Sequence, residues 1–172
     1  MSRNSWLLGL VAIGSALVLA GCGGGGGSSG GSVSGVGGVA ATGRPISGGK
    51  VTMICAGGTE SSSVTTGSDG TYSNLTASGA LPCIIKITSG TTNGTLYSVL
   101  NTGTAANINQ LTTMLVYGIA GGDPQTVLFG TPSNIAVLVT SNLVAQKAIV
   151  QKVVTAFSAL TLGSSFDFLT TS

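Results

Sequence analysis

The chain has 172 residues, of which 42% are hydrophobic and 6% charged; it has no histidine and a formal net charge of +2. That length suits one ordinary domain with attachments, and once a leader and a glycine tract are set aside roughly 135 residues remain, enough for a modest core. Scattered lysines at so low a net charge offer no electrostatic footprint for a phosphate backbone, which argues against nucleic acid as a partner.

At the amino terminus, Arg3 supplies a positive start, Trp6 to Leu19 form an apolar run, and Leu19-Ala20-Gly21-Cys22 closes it with small residues before a cysteine. A membrane-spanning helix needs about 20 apolar residues, and this run stops short of that at a glycine tract. Leu-Ala-Gly-Cys resembles the lipobox of bacterial lipoproteins. The resemblance implies that residues 1–21 are a signal peptide forming a helix, with cleavage between Gly21 and Cys22. A covalent diacylglycerol on the Cys22 thiol and an N-acyl lipid on its new amino group then make the membrane a partner. Two or three chains at about 0.8 kcal/mol per buried methylene anchor far more firmly than one myristoyl group. No other cofactor is expected. In the lipoprotein sorting rule an aspartate after the cysteine retains the protein at the inner membrane; Gly23 stands there, which implies the outer membrane.

Residues 22–35 follow as the lipidated cysteine and a Gly/Ser tether. Glycine and serine provide no apolar surface to offset the entropy of ordering, so this stretch is expected to be disordered. About 15 such residues give a root-mean-square reach of roughly 20 Å. A phosphate-binding glycine loop is the competing reading, but no strand precedes these glycines and no Gly-Lys-Ser/Thr follows.

From 36 to 108 the pattern is of short β-rich runs divided by turn residues. Val36–Ala41, Lys50–Cys55, Ser62–Thr66, Thr71–Thr76, Cys83–Thr88, Thr95–Leu100 and Ala105–Ile108 each suit a strand. Asp69-Gly70 and Asn93-Gly94 are dipeptides that accept positive φ and close tight hairpins. About seven antiparallel strands at this spacing predict a small, mainly β sandwich. Val39-Ala-Ala-Thr-Gly-Arg-Pro-Ile-Ser-Gly-Gly-Lys-Val-Thr-Met and Val64-Thr-Thr-Gly-Ser-Asp-Gly-Thr-Tyr-Ser resemble the carboxypeptidase regulatory-like, or transthyretin-like, sandwich domain. The resemblance covers about 70 residues and implies an accessory or structural module without catalytic residues. On its own chemistry, Pro45 fits an edge turn, and Tyr72 can bury its ring while its hydroxyl finds a partner.

The chain departs from that family in having Cys55 and Cys83. With Cys22 consumed by lipid, these form an even pair in an exported protein, the setting in which cysteines oxidise. Their bond closes a loop of about 29 residues, worth roughly 3.5 kcal/mol by chain entropy. Two buried free thiols are the alternative. A metal site would have to be assembled without histidine from four scattered carboxylates, so none is expected.

Residues 109–172 read as a helical segment. Asn107 or Asn109 can cap a helix from Gln110 to Ala120 that ends at Gly121-Gly122, and Asp123-Pro124 opens a short helix to Phe129. Ser141–Leu160 carries Ile149, Val150, Val153, Val154, Phe157 and Leu160 on one face, expected to face the core, and Lys147, Gln151, Thr155 and Ser158 on another. The lipobox, the tether, Pro82-Cys-Ile-Ile and Asn109-Gln-Leu-Thr-Thr-Met together resemble a group of proteobacterial lipoproteins in which a helical segment follows the sandwich. Similar proteins continue beyond the equivalent of Phe166-Asp-Phe-Leu-Thr-Thr-Ser, which implies that this chain is a truncated part of a longer protein.

Catalysis finds little to work with. Without histidine, a Ser or Thr nucleophile would need Lys50, Lys86, Lys147 or Lys152 as its base, none of them in a recognisable motif. Among the carboxylates Glu60, Asp69, Asp123 and Asp167, Asp69 and Asp123 already have explanations in a turn and a cap. The expectation is a non-enzymatic outer-membrane lipoprotein acting as a structural or protein-interaction module with an envelope protein as partner. A carbohydrate-binding accessory module is the first alternative. A fragment of a larger envelope enzyme, its active site in the remainder, is the second.

Overall fold

The computed structural model describes residues 31–88, 94–158 and 168–170. The signal segment 1–21, Cys22, the tether as far as Gly30, Asn93 of the expected hairpin and Leu160 of the expected helix lie outside the described residues.

Six strands come first: β1 (Ser32–Val39), β2 (Lys50–Ala56), β3 (Val64–Thr65), β4 (Thr71–Ser78), β5 (Ala80–Thr88) and β6 (Thr95–Leu100). They are followed by helix α1 (Gln110–Ala120), a π-helical turn (Gln125–Phe129) and helix α2 (Asn134–Ser158). β1 and β4 form one antiparallel sheet; the other runs β3-β2-β5-β6, also antiparallel throughout.

The period-2 alternation of side chains decides how the layers stack. In β5, Cys83, Ile85 and Ile87 point to one core, where they meet Val36, Tyr72 and Leu75 of the two-stranded sheet. Ile84 points the other way into a second core with Ile119, Leu128 and Ile135 of the helical layer. β5 and β6 are therefore buried on both faces over most of their length, which explains why they read as nearly continuous apolar runs. The molecule is a sandwich of two sheets with helices laid over the outer face of the larger one. Burying each large side chain such as Ile84 contributes about 1.5–3 kcal/mol.

Several expectations need correction. The strand count among the described residues is six, not about seven, because Ala105–Ile108 makes only two isolated bridges, Gly37 with Ala105 and Ala40 with Ile108, both parallel to β1. Ser62–Thr66 shrinks to Val64–Thr65. The Ser61 hydroxyl and amide take the places of a ladder, accepting from the Met53 amide at 2.9 Å and donating to its carbonyl at 2.8 Å, and the Thr66 hydroxyl is drawn to the Ile46 carbonyl at 2.6 Å. Asp69-Gly70 does turn the chain, but β3 and β4 lie in different sheets, so it crosses between layers and closes no two-stranded hairpin. β1 starts at Ser32, inside the stretch read as tether.

In the helical layer, Asn109 rather than Asn107 is the cap, its side chain accepting from the Thr112 amide at 3.0 Å while the Thr112 hydroxyl accepts from the Asn109 amide at 2.9 Å. Asn107 instead holds β1 through the Val39 amide at 3.0 Å. The Asp123-Pro124 segment leads into a π-helical turn, closed from the Gly130 amide to the Gln125 carbonyl at 2.9 Å. α2 begins at Asn134, seven residues before the expected Ser141. Its buried face is centred on Ile135, Val139 and Val150, while Ile149 is exposed and Val153 and Val154 are half-buried. Lys147 and Gln151, expected on the solvent face, are half-buried.

Candidate functional site

Cys55 and Cys83 stand directly opposite each other in β2 and β5 and are joined by a disulfide, with Cα atoms 3.9 Å apart. Both are fully buried in the core between the sheets. The bond is a staple of the sandwich, out of reach of solvent.

Cys22 and Gly21 lie outside the described residues, but the point at which the chain enters the body is defined. The Gly79 amide donates to the Gly31 carbonyl at 2.7 Å, and Ser32 pairs with Ser78. Gly58 packs against this turn so closely that a Cβ there would overlap the Ser78 carbonyl, which is why a glycine is needed. Gly57 in turn donates to the Pro132 carbonyl at 3.3 Å, just ahead of α2. The tether root, the β2 exit, the β4–β5 turn and the start of α2 thus share one end of the sandwich.

On the helical face, Lys86 gathers a polar cluster. Its Nζ lies 2.9 Å from Glu60 Oε1, donates to Gln125 Oε1 at 3.0 Å and sits 4.1 Å from the Phe129 ring centroid. Thr52 donates to the same Glu60 oxygen at 2.7 Å. Burial pushes the Glu60 carboxyl up, but the hydrogen bonds from Thr52 and Lys86 and the Lys86 charge outweigh it and hold the group below its usual value. These contacts tie the π-helical turn to the sheet and direct the lysine's donors to fixed partners. Asp69 is likewise held low by the Thr71 hydroxyl and amide, and Asp123 accepts from the Gln125 amide at 3.2 Å and the Thr126 hydroxyl at 3.0 Å. Both do local turn and cap work, as their sequence positions suggested.

A cleft of about 100 Å³ lies between the end of β6, the loop after it and α2, with Asn101, Thr102, Leu143 and Lys147 among its walls. Pockets that enclose small ligands run to about 300–1,000 Å³, so this one suits a few waters. The Tyr72, Tyr97, Phe129 and Phe168 rings are buried. Among the described residues, Tyr117 is the aromatic that reaches solvent, 46% exposed, its ring edge-on to Tyr97 at 6.0 Å. Phe166 and the side chain of Phe157 lie outside what is described.

Sequence reasoning missed the Lys86 cluster, although a lone lysine between isoleucines in Cys83-Ile-Ile-Lys-Ile was a signal for it. It also missed the exposed apolar residues at the tether end, Leu81 in β5 and Val137 in α2. No protein-family model, curated protein or solved structure matches the chain.

Proposed function

We propose that this chain is a lipid-anchored outer-membrane lipoprotein whose body is a non-catalytic structural or protein-docking module of the bacterial envelope. The observation that carries the reading is the Leu19-Ala20-Gly21-Cys22 site after an apolar run, with Gly23 in the sorting position. The body's first strand starts at Ser32, ten positions after Cys22, which keeps it close to the lipid. Support for a non-catalytic role comes from Lys86, Glu60, Asp69 and Asp123, whose polar atoms are engaged in structural contacts. The small volume of the cleft and the single exposed described aromatic favour a protein partner over a sugar. Crosslinking in intact envelopes, followed by fractionation and mass spectrometry, tests this. The protein is expected in the outer-membrane fraction, joined to another envelope protein. Turnover of a cell-wall glycan by the purified lipidated protein, lost on changing Glu60 or Lys86, would contradict it.

A further inference from the structure

The end of the sandwich at which the tether enters differs from its opposite end in charge and in what it exposes. The segments that converge there, 56–59, 78–82, 101–102 and 130–133, contain no charged residue, whereas Arg44, Lys50 and Asp69 lie at the other end. Leu81 is 39% exposed at this rim, which the half-buried Lys147 of α2 adjoins. α2 starts beside Gly57 at the β2 exit, and its Leu143 and Lys147 reach Val99 to Thr102 at the end of β6. It therefore crosses the strand ends on this side. Val137 and Val144, seven positions apart and so on one helical face, point outward at 67% and 81% exposed. No aspartate or glutamate occurs anywhere in Asn134–Ser158, while Lys152 is exposed.

We infer that this end lies against the phospholipid surface, with Leu81, Val137 and Val144 in the interfacial region. The inference rests on the lipid anchor at Cys22. The ten-position separation of Cys22 and Ser32 allows at most about 35 Å fully extended and, by the statistics of Gly-rich linkers, roughly 17 Å on average. A body held on so short a leash meets the bilayer with the end that carries the leash. Apolar side chains without acidic neighbours suit an anionic headgroup layer, which repels carboxylates and accepts the ammonium of Lys152.

Tryptophan reports on this directly, because Trp6 is the chain's one tryptophan and is lost with the signal peptide in the anchored form. Lipidated Leu81→Trp, Val144→Trp and Ser68→Trp proteins would be reconstituted into phosphatidylethanolamine/phosphatidylglycerol vesicles brominated near the headgroup. Ser68 lies in the turn at the far end. The expected result is quenching several-fold stronger at Leu81→Trp and Val144→Trp than at Ser68→Trp, and either reporter decides if the other does not fold. Quenching as strong at Ser68→Trp, or a shielded but unquenched Leu81→Trp, overturns the orientation in protein that still floats with the vesicles; the shielded case would mean a protein cover. Wild-type protein whose mass shows no lipid on Cys22 removes the anchor itself and the orientation with it.

Discussion

The hydroxyl of Tyr72 in β4 donates to the main-chain carbonyl of Ala106, 34 residues further along the chain. The bond ties the smaller sheet to the 104–108 segment that leads into α1. That segment is also bound to β1 through the Gly37 amide and carbonyl, each at 2.9 Å. Gly38 approaches so closely that a Cβ would overlap the Ala106 carbonyl.

Replacing Tyr72 by Phe leaves a buried carbonyl without that donor, so the urea unfolding free energy should fall by about 1–3 kcal/mol. The alkaline side carries a second signature. Burial pushes the Tyr72 phenol well above its ordinary 10.0, and burial, then Asp123 and Tyr117, push Tyr97 up to about 12. Both stay neutral in the fold beyond the pH at which the unfolded chain releases their protons. Their contribution is therefore complete below pH 10 and is lost as pH rises toward 12. The urea midpoint should decline across that window, and less steeply for Tyr72→Phe.

The Cys55–Cys83 bond spans a sequence separation of 28, for which chain entropy gives roughly 3.5 kcal/mol. Cys55→Ala/Cys83→Ala protein should lose about that much stability in chemical denaturation. Wild-type protein should resist reduction by dithiothreitol until urea opens the core. Rapid reduction of the native protein would show that the bond is not enclosed.

Much of this architecture could be read from local chemistry. The alternating runs gave β2, β4, β5 and β6 within a few residues, and Asn109 and Gly121 bounded α1 as capping rules require. The chain entry and the helical face were harder. Ser32 to Gly35 look like tether because glycine and serine carry no pattern, yet Ser32 and Val33 pair with β4, and Ser34 and Gly35 lie in the register shift before Val36. α2 lost its first two turns to the reading because Val137 and Val144 put apolar residues on the outward side and blurred the amphipathic stripe. Lys86 reads as a break in an apolar strand; only the folded chain brings Glu60, Gln125 and Phe129 around it.

That cluster makes two separable predictions. Lys86→Ala removes the ion pair and the ring contact and should cost about 1–2 kcal/mol. Because the Glu60 carboxyl is held below its usual 4.5, its contribution is present above that pH and fades as pH falls through the lowered value. Glu60→Gln should flatten this part of the acid limb in a pH series of thermal melts.

On α2, Val150 is 1% exposed against the helical core. Val150→Asp buries an unpaired charge and should destabilise by several kcal/mol. Val144→Asp, on the outward side, should stay within about 0.5 kcal/mol in detergent-free unbound protein. Equal losses from the two, measured by circular dichroism melts, would mean that the outward face is covered within the monomer.

The attachment itself is tested most directly by metabolic labelling with radiolabelled palmitate, followed by mass analysis of the amino-terminal peptide. Label should enter the wild-type protein, and the peptide should begin at Cys22 carrying a diacylglycerol and an N-linked acyl chain, with neither found in Cys22→Ala. Equal labelling of the two proteins, or a mature chain that begins elsewhere and bears no lipid, would contradict the lipoprotein reading.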